Sequence, residues 1–176
     1  MTELVLCGRG GQGIVFLTRQ IGEIAAGKGL DVISSETHGM AVRGGSINSH
    51  VRIGAFRSPL IRPGHADFLL SLDSSETSNN RHYLKPHGII IENSPLSDEP
   101  GTFRVDAAGL ARKFGRVQLE NVVLLGFAAT IDGFPFSADD IRSHIEKDRR
   151  TQIRESNVRA FEAGFGAGRR PTNGRP

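Results

Sequence analysis

The sequence predicts an α/β fold: a single three-layer domain with a mostly parallel sheet, helices on both faces and a Rossmann-like start. Three observations lead there. Residues 3–7 form a short buried-strand candidate that enters the glycine-rich turn Gly8-Arg-Gly-Gly-Gln-Gly13, and apolar residues at helical spacing follow it. Further short apolar runs then alternate with helical patterns, as expected of strands joined by crossover helices. Finally, the aromatic fraction is only 6% and there is no Trp. A core built mainly from Ile, Leu, Val and Ala suits a sheet covered by helices better than an aromatic-rich sandwich.

In chain order, Ile14, Leu17, Ile21, Ile24 and Ala25 place a helix after the turn, and Gly27 and Gly29 can stop it. Residues 31–35 read as a second strand. Strand, glycine turn, helix and strand make a βαβ unit whose two strands are expected to be parallel neighbours. Ile47, Ser49, Val51 and Ile53 alternate with Asn48, His50 and Arg52, the pattern of a strand with one polar, half-exposed face. Residues 67–72 and 88–92 are buried strands. Between them residues 74–84 form a weak helix capped by Ser74 or Ser75. Residues 105–114 pass from a strand into a helix. The stretch 121–130 is apolar all round, as in a buried helix. Ser137-Ala-Asp-Asp140 resembles a capping box opening a helix through residue 147, and a last amphipathic helix covers about residues 150–163. The Gly- and Pro-rich end lacks periodicity, so the domain is set at residues 1–165 and a disordered basic tail at 166–176.

Charge and composition narrow the function classes. There are 22 basic and 19 acidic residues, a net charge of +3, with several arginines near the C-terminus. The tail lacks aromatic groups for stacking, so no nucleic-acid partner is expected. The single cysteine, Cys7, excludes an internal disulfide and cannot assemble a zinc or iron–sulfur site, so no metal is expected on this chain. Cys7 ends an apolar run and reads as a small buried hydrophobe. The N-terminus lacks the features of a signal peptide, and no apolar run approaches the ~20 residues of a membrane span. A cytoplasmic protein without a membrane partner is the expectation.

Two segments carry candidate chemistry. Gly8, Gly10 and Gly13 match G-x-G-x-x-G after a strand and before a helix. Glycines permit positive φ and close backbone approach, and a helix N-terminus presents N–H groups to anions. The residues alone leave open a structural turn, an anion or cofactor contact, and a true dinucleotide site with Glu36 on the ribose. Gln12 favours hydrogen bonding to some other group, because a dinucleotide turn prefers small or apolar residues there. The second segment, Glu36 to His50, sets polar groups and glycines in a loop between two strands. Arg43 beside Gly44 and Gly45 can present a planar fork and backbone N–H groups to a carboxylate or phosphate, or can be a solvated surface arginine.

Taken together, these segments resemble a known family. Gly8-Arg-Gly-Gly-Gln-Gly13, then Thr37-His-Gly-Met40 and Arg43-Gly-Gly-Ser46, are similar to the γ-type subunits and domains of 2-oxoacid:acceptor oxidoreductases. Residues 67–73, the run Asn121 to Gly126, and Asn157 match later landmarks, so the resemblance covers about residues 3–165. Within the family, Glu36-Thr-His-Gly-Met40 most resembles the β subunit of indolepyruvate oxidoreductases, whereas Val42 resembles the pyruvate branch. The resemblance implies an enzyme that decarboxylates a 2-oxoacid on thiamine diphosphate with Mg, passes electrons through [4Fe-4S] clusters to ferredoxin or a similar acceptor, and transfers the acyl group to coenzyme A (CoA). This chain has no thiamine-site pattern, its one Asp-Gly pair being Asp132-Gly133 without the downstream motif. The resemblance therefore implies a large partner subunit carrying the thiamine and cluster domains. It also implies that Gly8, Gly10, Gly11, Gln12, Gly13, Thr37, Gly39, Arg43, Gly44, Gly45 and Ser46 contact CoA, substrate or the partner's active site. His38 is then a donor or general acid near the thiamine centre, or a satisfied interface histidine. The alternative is a stand-alone NAD(P)- or flavin-binding Rossmann protein.

Overall fold

The computed structural model describes residues 1–39 and 44–169. In chain order they form β1 (Thr2–Arg9), α1 (Ile14–Gly27), β2 (Val32–His38), β3 (Ser46–Ile53), β4 (Ala66–Ser71), α2 (Ser74–Asn80), β5 (Leu84–Asn93), β6 (Thr102–Val105), α3 (Ala107–Arg112), α4 (Glu120–Ala128), α5 (Ala138–Ile145) and α6 (Thr151–Gly168). Short 3-10 turns occupy Arg81–Tyr83 and Val117–Leu119.

The strands make one six-stranded sheet in the order β2-β3-β1-β4-β5-β6. Strand β1 pairs parallel with β4, β4 with β5, and β5 with β6, while β3 is antiparallel to both β1 and β2. Strand β3 alone therefore runs against the common direction, and the mostly parallel sheet is as expected. The expected neighbourhood of β1 and β2 is not: they share a direction, but β3 lies between them. The reason is the connection from residue 39 to residue 45. It is too short for a parallel crossover, which takes a dozen or more residues, so the chain returns antiparallel.

The two faces are covered unequally. On one face Leu4, Leu6, Val51, Ile53, Phe68, Leu70 and Ile91 pack beneath helices α1 and α3 to α6. On the other, Val5, Cys7, Leu69 and Ile90 are covered by Ile61, Tyr83 and Leu84. That second cover is thin: the segment 54–65, the 3-10 turn and the short helix α2. It corrects the half-exposed reading of β3. His50 is buried, its Nδ1 accepts a hydrogen bond of 2.9 Å from the Ile61 N–H, and Tyr83 meets its ring edge-on at 4.7 Å. Helix α2 is capped by Asp73, whose carboxylate accepts from the Ser75 N–H, and not by either serine. Among the described residues no helix is long and apolar enough to cross a membrane.

Helix α4 is buried along its whole length, and α6 packs closely on it. Glycines make this approach possible. A methyl group on Gly126 would overlap the Phe161 carbonyl, one on Gly164 would overlap the Val123 carbonyl, and one on Gly168 would overlap the Thr130 side chain. The expected tail from residue 166 is corrected accordingly: α6 continues through Gly168, because Gly164 and Gly168 are packing positions on a helix face. Residues 170–176 lie outside the described residues. Phe161 is fully buried in this contact, a burial worth about 1.5–3 kcal/mol for such a side chain.

Two alanine substitutions on one helix separate packing from propensity. Gly164→Ala should destabilise the chain by about 1–3 kcal/mol through overpacking against α4. Gly166→Ala, exposed with nothing near its Cβ position, should stabilise it by about 0.5–1 kcal/mol. Urea denaturation of the two variants beside the wild type checks the opposite signs.

Candidate functional site

Strands β1, β2 and β4 end at one edge of the sheet, where β3 begins. The register sets Arg9 opposite Ser46 and His38 opposite Ile47. Across this edge the Gly10 N–H donates to the Gly45 carbonyl at 2.9 Å, and the Gly39 N–H donates to the Ser46 carbonyl at 2.8 Å. The close approach needs a bare backbone: a Cβ on Gly10 would stand 3.3 Å from the Gly44 nitrogen, and one on Gly39 would stand 3.2 Å from the Ser46 oxygen. Gly11 and Gly13 have φ of 99° and 85°, values that side chains strain, and Gly13 opens α1 without a side-chain cap.

The structure thus brings Gly8, Gly10, Gly11, Gln12, Gly13, Thr37, His38, Gly39, Gly44, Gly45 and Ser46 to a common edge. Arg43 lies outside the described residues. The described parts of the two segments meet through β3, and not through direct pairing of β1 with β2. Gln12 does not reach across to residues 37–39. Its Oε1 accepts from the Arg9 N–H at 2.7 Å and its Nε2 donates to the Leu72 carbonyl at 2.9 Å, which turns it toward β4.

Between β1 and β4 the following helices leave for opposite faces, which in open α/β sheets is the crevice where nucleotides bind. Here the crevice is crossed by the chain's own side chains. Gln12 spans it to Leu72, Arg9 pairs with Asp73 at 3.3 Å and donates to Ser75 at 3.0 Å, and Asn93 donates to Leu72 at 3.2 Å and to Glu120 at 3.1 Å. Asn121 holds the Gly13 carbonyl at 3.3 Å. Glu36 stands on β2, beyond β3, with its carboxylate 3.8 Å from the imidazole of His38. Among the described residues, the dinucleotide alternative therefore finds the crevice bridged by Gln12, Arg9 and Asn93 and no acidic residue on β3, the strand between β1 and β2.

Two titratable groups beside this edge are buried, Cys7 and Glu120. Burial pushes the Cys7 thiol up to about 12, against the hydrogen bond with Ser71, and the carboxylates of Glu76, Asp73 and Glu92 add to the rise. Such a thiol stays protonated and is no nucleophile. Burial likewise raises the Glu120 carboxyl above its usual range, although hydrogen bonds from Gln12 and Asn93 oppose the rise. His38 is exposed. Sequence reasoning missed the supporting groups Asp73, Glu76, Asn93 and Glu120. The available signal was positional: Asp73 and Asn93 each stand at or just past the C-terminal end of a strand, and Glu120 directly precedes the apolar run of α4.

Residues 3–167 match the family described as pyruvate ferredoxin/flavodoxin oxidoreductase. The chain is 32% identical to the indolepyruvate oxidoreductase subunit IorB of Methanothermobacter thermautotrophicus, over 94% of this chain and 96% of that one. Its fold is similar to the γ subunit of a keto/oxoacid ferredoxin oxidoreductase from Geobacter sulfurreducens, with a TM-score of 0.77 and 25% identity over 96% of this chain and 98% of that one. The same fold recurs in the 2-oxoglutarate:ferredoxin oxidoreductase of Magnetococcus marinus, solved with 2-oxoglutarate, coenzyme A and succinyl-CoA bound. There the TM-score is 0.78 at 19% identity, and 99% of this chain corresponds to 32% of that much longer one.

The Glu120 carboxyl gives a pH test. A carboxyl raised in the folded state favours folding while protonated, and that contribution is lost as pH rises from its ordinary 4.5 through the higher folded value. Glu120→Gln should therefore gain stability relative to the wild type on going from below pH 4.5 to neutral. Thermal melts of both proteins across that range measure it, and a constant difference would contradict the assignment.

Proposed function

The chain belongs to the pyruvate ferredoxin/flavodoxin oxidoreductase family, and from that footing we propose that it is the small, γ-type subunit of a cytoplasmic, thiamine-diphosphate-dependent 2-oxoacid:ferredoxin oxidoreductase. The assembled enzyme oxidatively decarboxylates a 2-oxoacid to its acyl-CoA. This subunit closes over the active site of a larger partner and helps to hold the acyl acceptor. The observation that carries the reading is the meeting of the Gly8–Gly13 turn with Gly39 and residues 44–46 at one sheet edge. Bare glycine backbone there, at the N-terminus of the 14-residue helix α1, suits a polyanionic acceptor or a partner's surface. Arg43, in the same loop, supplies a fork for its carboxylate or phosphate.

The residues of this chain do not fit the redox centres. A [4Fe-4S] cluster takes four thiolates, and the one thiol here is buried and held protonated. Thiamine diphosphate with Mg and the clusters are therefore assigned to the partner, with ferredoxin or a similar acceptor reached through it. The form Glu36-Thr-His-Gly-Met40, together with the similarity to the IorB subunit, favours an arylpyruvate such as indolepyruvate over pyruvate. Comparison of kcat/KM for indolepyruvate, pyruvate and 2-oxoglutarate on the assembled enzyme tests that preference.

Purified alone, the chain should be colourless and inactive, and activity should appear on addition of the large subunit. A brown, active preparation of this chain by itself would overturn the assignment. Within the complex, Arg43→Ala should lower turnover roughly 10- to 150-fold, the effect of losing one charge-assisted hydrogen bond of about 1.5–3 kcal/mol. Steady-state kinetics on a normally assembled variant checks this, and wild-type turnover would mark Arg43 as a solvated surface group.

A further inference from the structure

Beneath α2 a carboxyl is buried for which neither the core nor the active-site reading has a use. Glu76 is only 5% exposed, and among the described residues the side chain that donates to it is Ser46, whose Oγ lies 2.7 Å from its Oε2. Burying a carboxyl is costly unless the structure uses it. Its place in the first turn of α2 offsets part of that cost through the helix dipole. Packing alone would be served as well by an apolar residue.

Ser46 is where three segments join. It begins β3, it pairs with Arg9 at the end of β1, and its carbonyl accepts from the Gly39 N–H at the end of β2. The carbonyl of the preceding residue, Gly45, accepts from the Gly10 N–H. One turn of α2 further on, Asn80 accepts from the Asn48 side chain, so α2 grips the first residues of β3 at two points. Fixing Ser46 therefore fixes the acceptors of both cross-edge hydrogen bonds.

We propose that Glu76 is a positioning residue: through the Ser46 hydroxyl it holds the start of β3, and with it the loop that reaches the partner's active site, against the glycine turn. This rests on the functional reading above, in which that loop meets the acyl acceptor or the partner's active site.

The test uses the full chain, alone and assembled with its large subunit, with Glu76→Ala, Glu76→Gln and Ser46→Ala. In the chain alone, amide hydrogen exchange at Gly10 and Gly39 should accelerate roughly tenfold in Glu76→Ala and in Ser46→Ala, and the double variant should add little. Glu76→Gln keeps an oxygen that accepts from Ser46 and should restore most of the protection. In the complex, kcat should fall by about the same factor in the two alanine variants and recover in Glu76→Gln. Should Glu76→Ala fail to fold, Ser46→Ala, at an exposed position, carries the same comparison. Unchanged exchange at both amides, or a glutamine variant that behaves like alanine, overturns the inference. If exchange responds and turnover does not, Arg43→Ala separates the failures. Reduced turnover there overturns the role of Glu76 alone, whereas unchanged turnover there removes the functional reading of the loop and this inference with it.

Discussion

The arrangement of the molecule depends on one strand running against the rest. Strand β3 lies between β1 and β2 and pairs with both over nearly its whole length. Its first residue must then lie where β1 and β2 end, and Gly44 and Gly45, which lead into it, are brought against the glycine turn. The Gly10 to Gly45 hydrogen bond follows from that geometry and explains why a side chain at position 10 would crowd the loop. With β3 interposed, Gln12 has no strand-end partner on the β2 side among the described residues. It bonds to the Leu72 carbonyl at the end of β4 and so spans the crevice between β1 and β4.

Apolar burial and polar contacts are distributed unequally over the two faces of the sheet. The face under α1, α4 and α6 is apolar and tightly packed, with glycines bringing α6 onto α4. The other face has a smaller apolar cluster, and near α2 its contacts are polar. There Ser46 meets Glu76, Thr77 meets Glu92 at 2.6 Å, and Arg104 meets Glu92 at 2.7 Å. Directional bonds of this kind fix the strand ends more sharply than apolar contact does. The candidate site thus has a hydrogen-bonded sheet edge as its base and polar contacts behind it, while the bulk of the burial lies on the opposite face.

Much of this was legible in the sequence, for identifiable reasons. Helix α1 announced itself by period and glycine stops. Helix α4 did so by an apolar run, and α5 by the capping box at Ser137 and Asp140 that the structure forms. Each of these signals is local. The insertion of β3 was not legible, because strand order depends on pairings that no local pattern records. The assumption that β1 and β2 are adjacent therefore failed. Strand β3 alternates polar and apolar residues as a surface strand would, and the segment 54–65 that covers its polar face comes later in the chain. The glycines near the C-terminus read as tail because their partners, Val123 and Thr130, belong to another helix. At the site, the glycine turn and the loop were found through motif and resemblance. Their supports were not, since Glu76 stands 30 residues from Ser46 and carries no pattern of its own.

The central claim, that the edge formed by the glycine turn and the β2 to β3 loop faces the active site of a larger partner, is tested most directly by comparing hydrogen exchange of this chain alone and in the assembled enzyme. The account predicts strong new protection in residues 8–13 and 37–46 and little change over residues 54–65 or 146–159. Protection confined to those last two segments, with the glycine edge exchanging as freely as in the isolated chain, would contradict it.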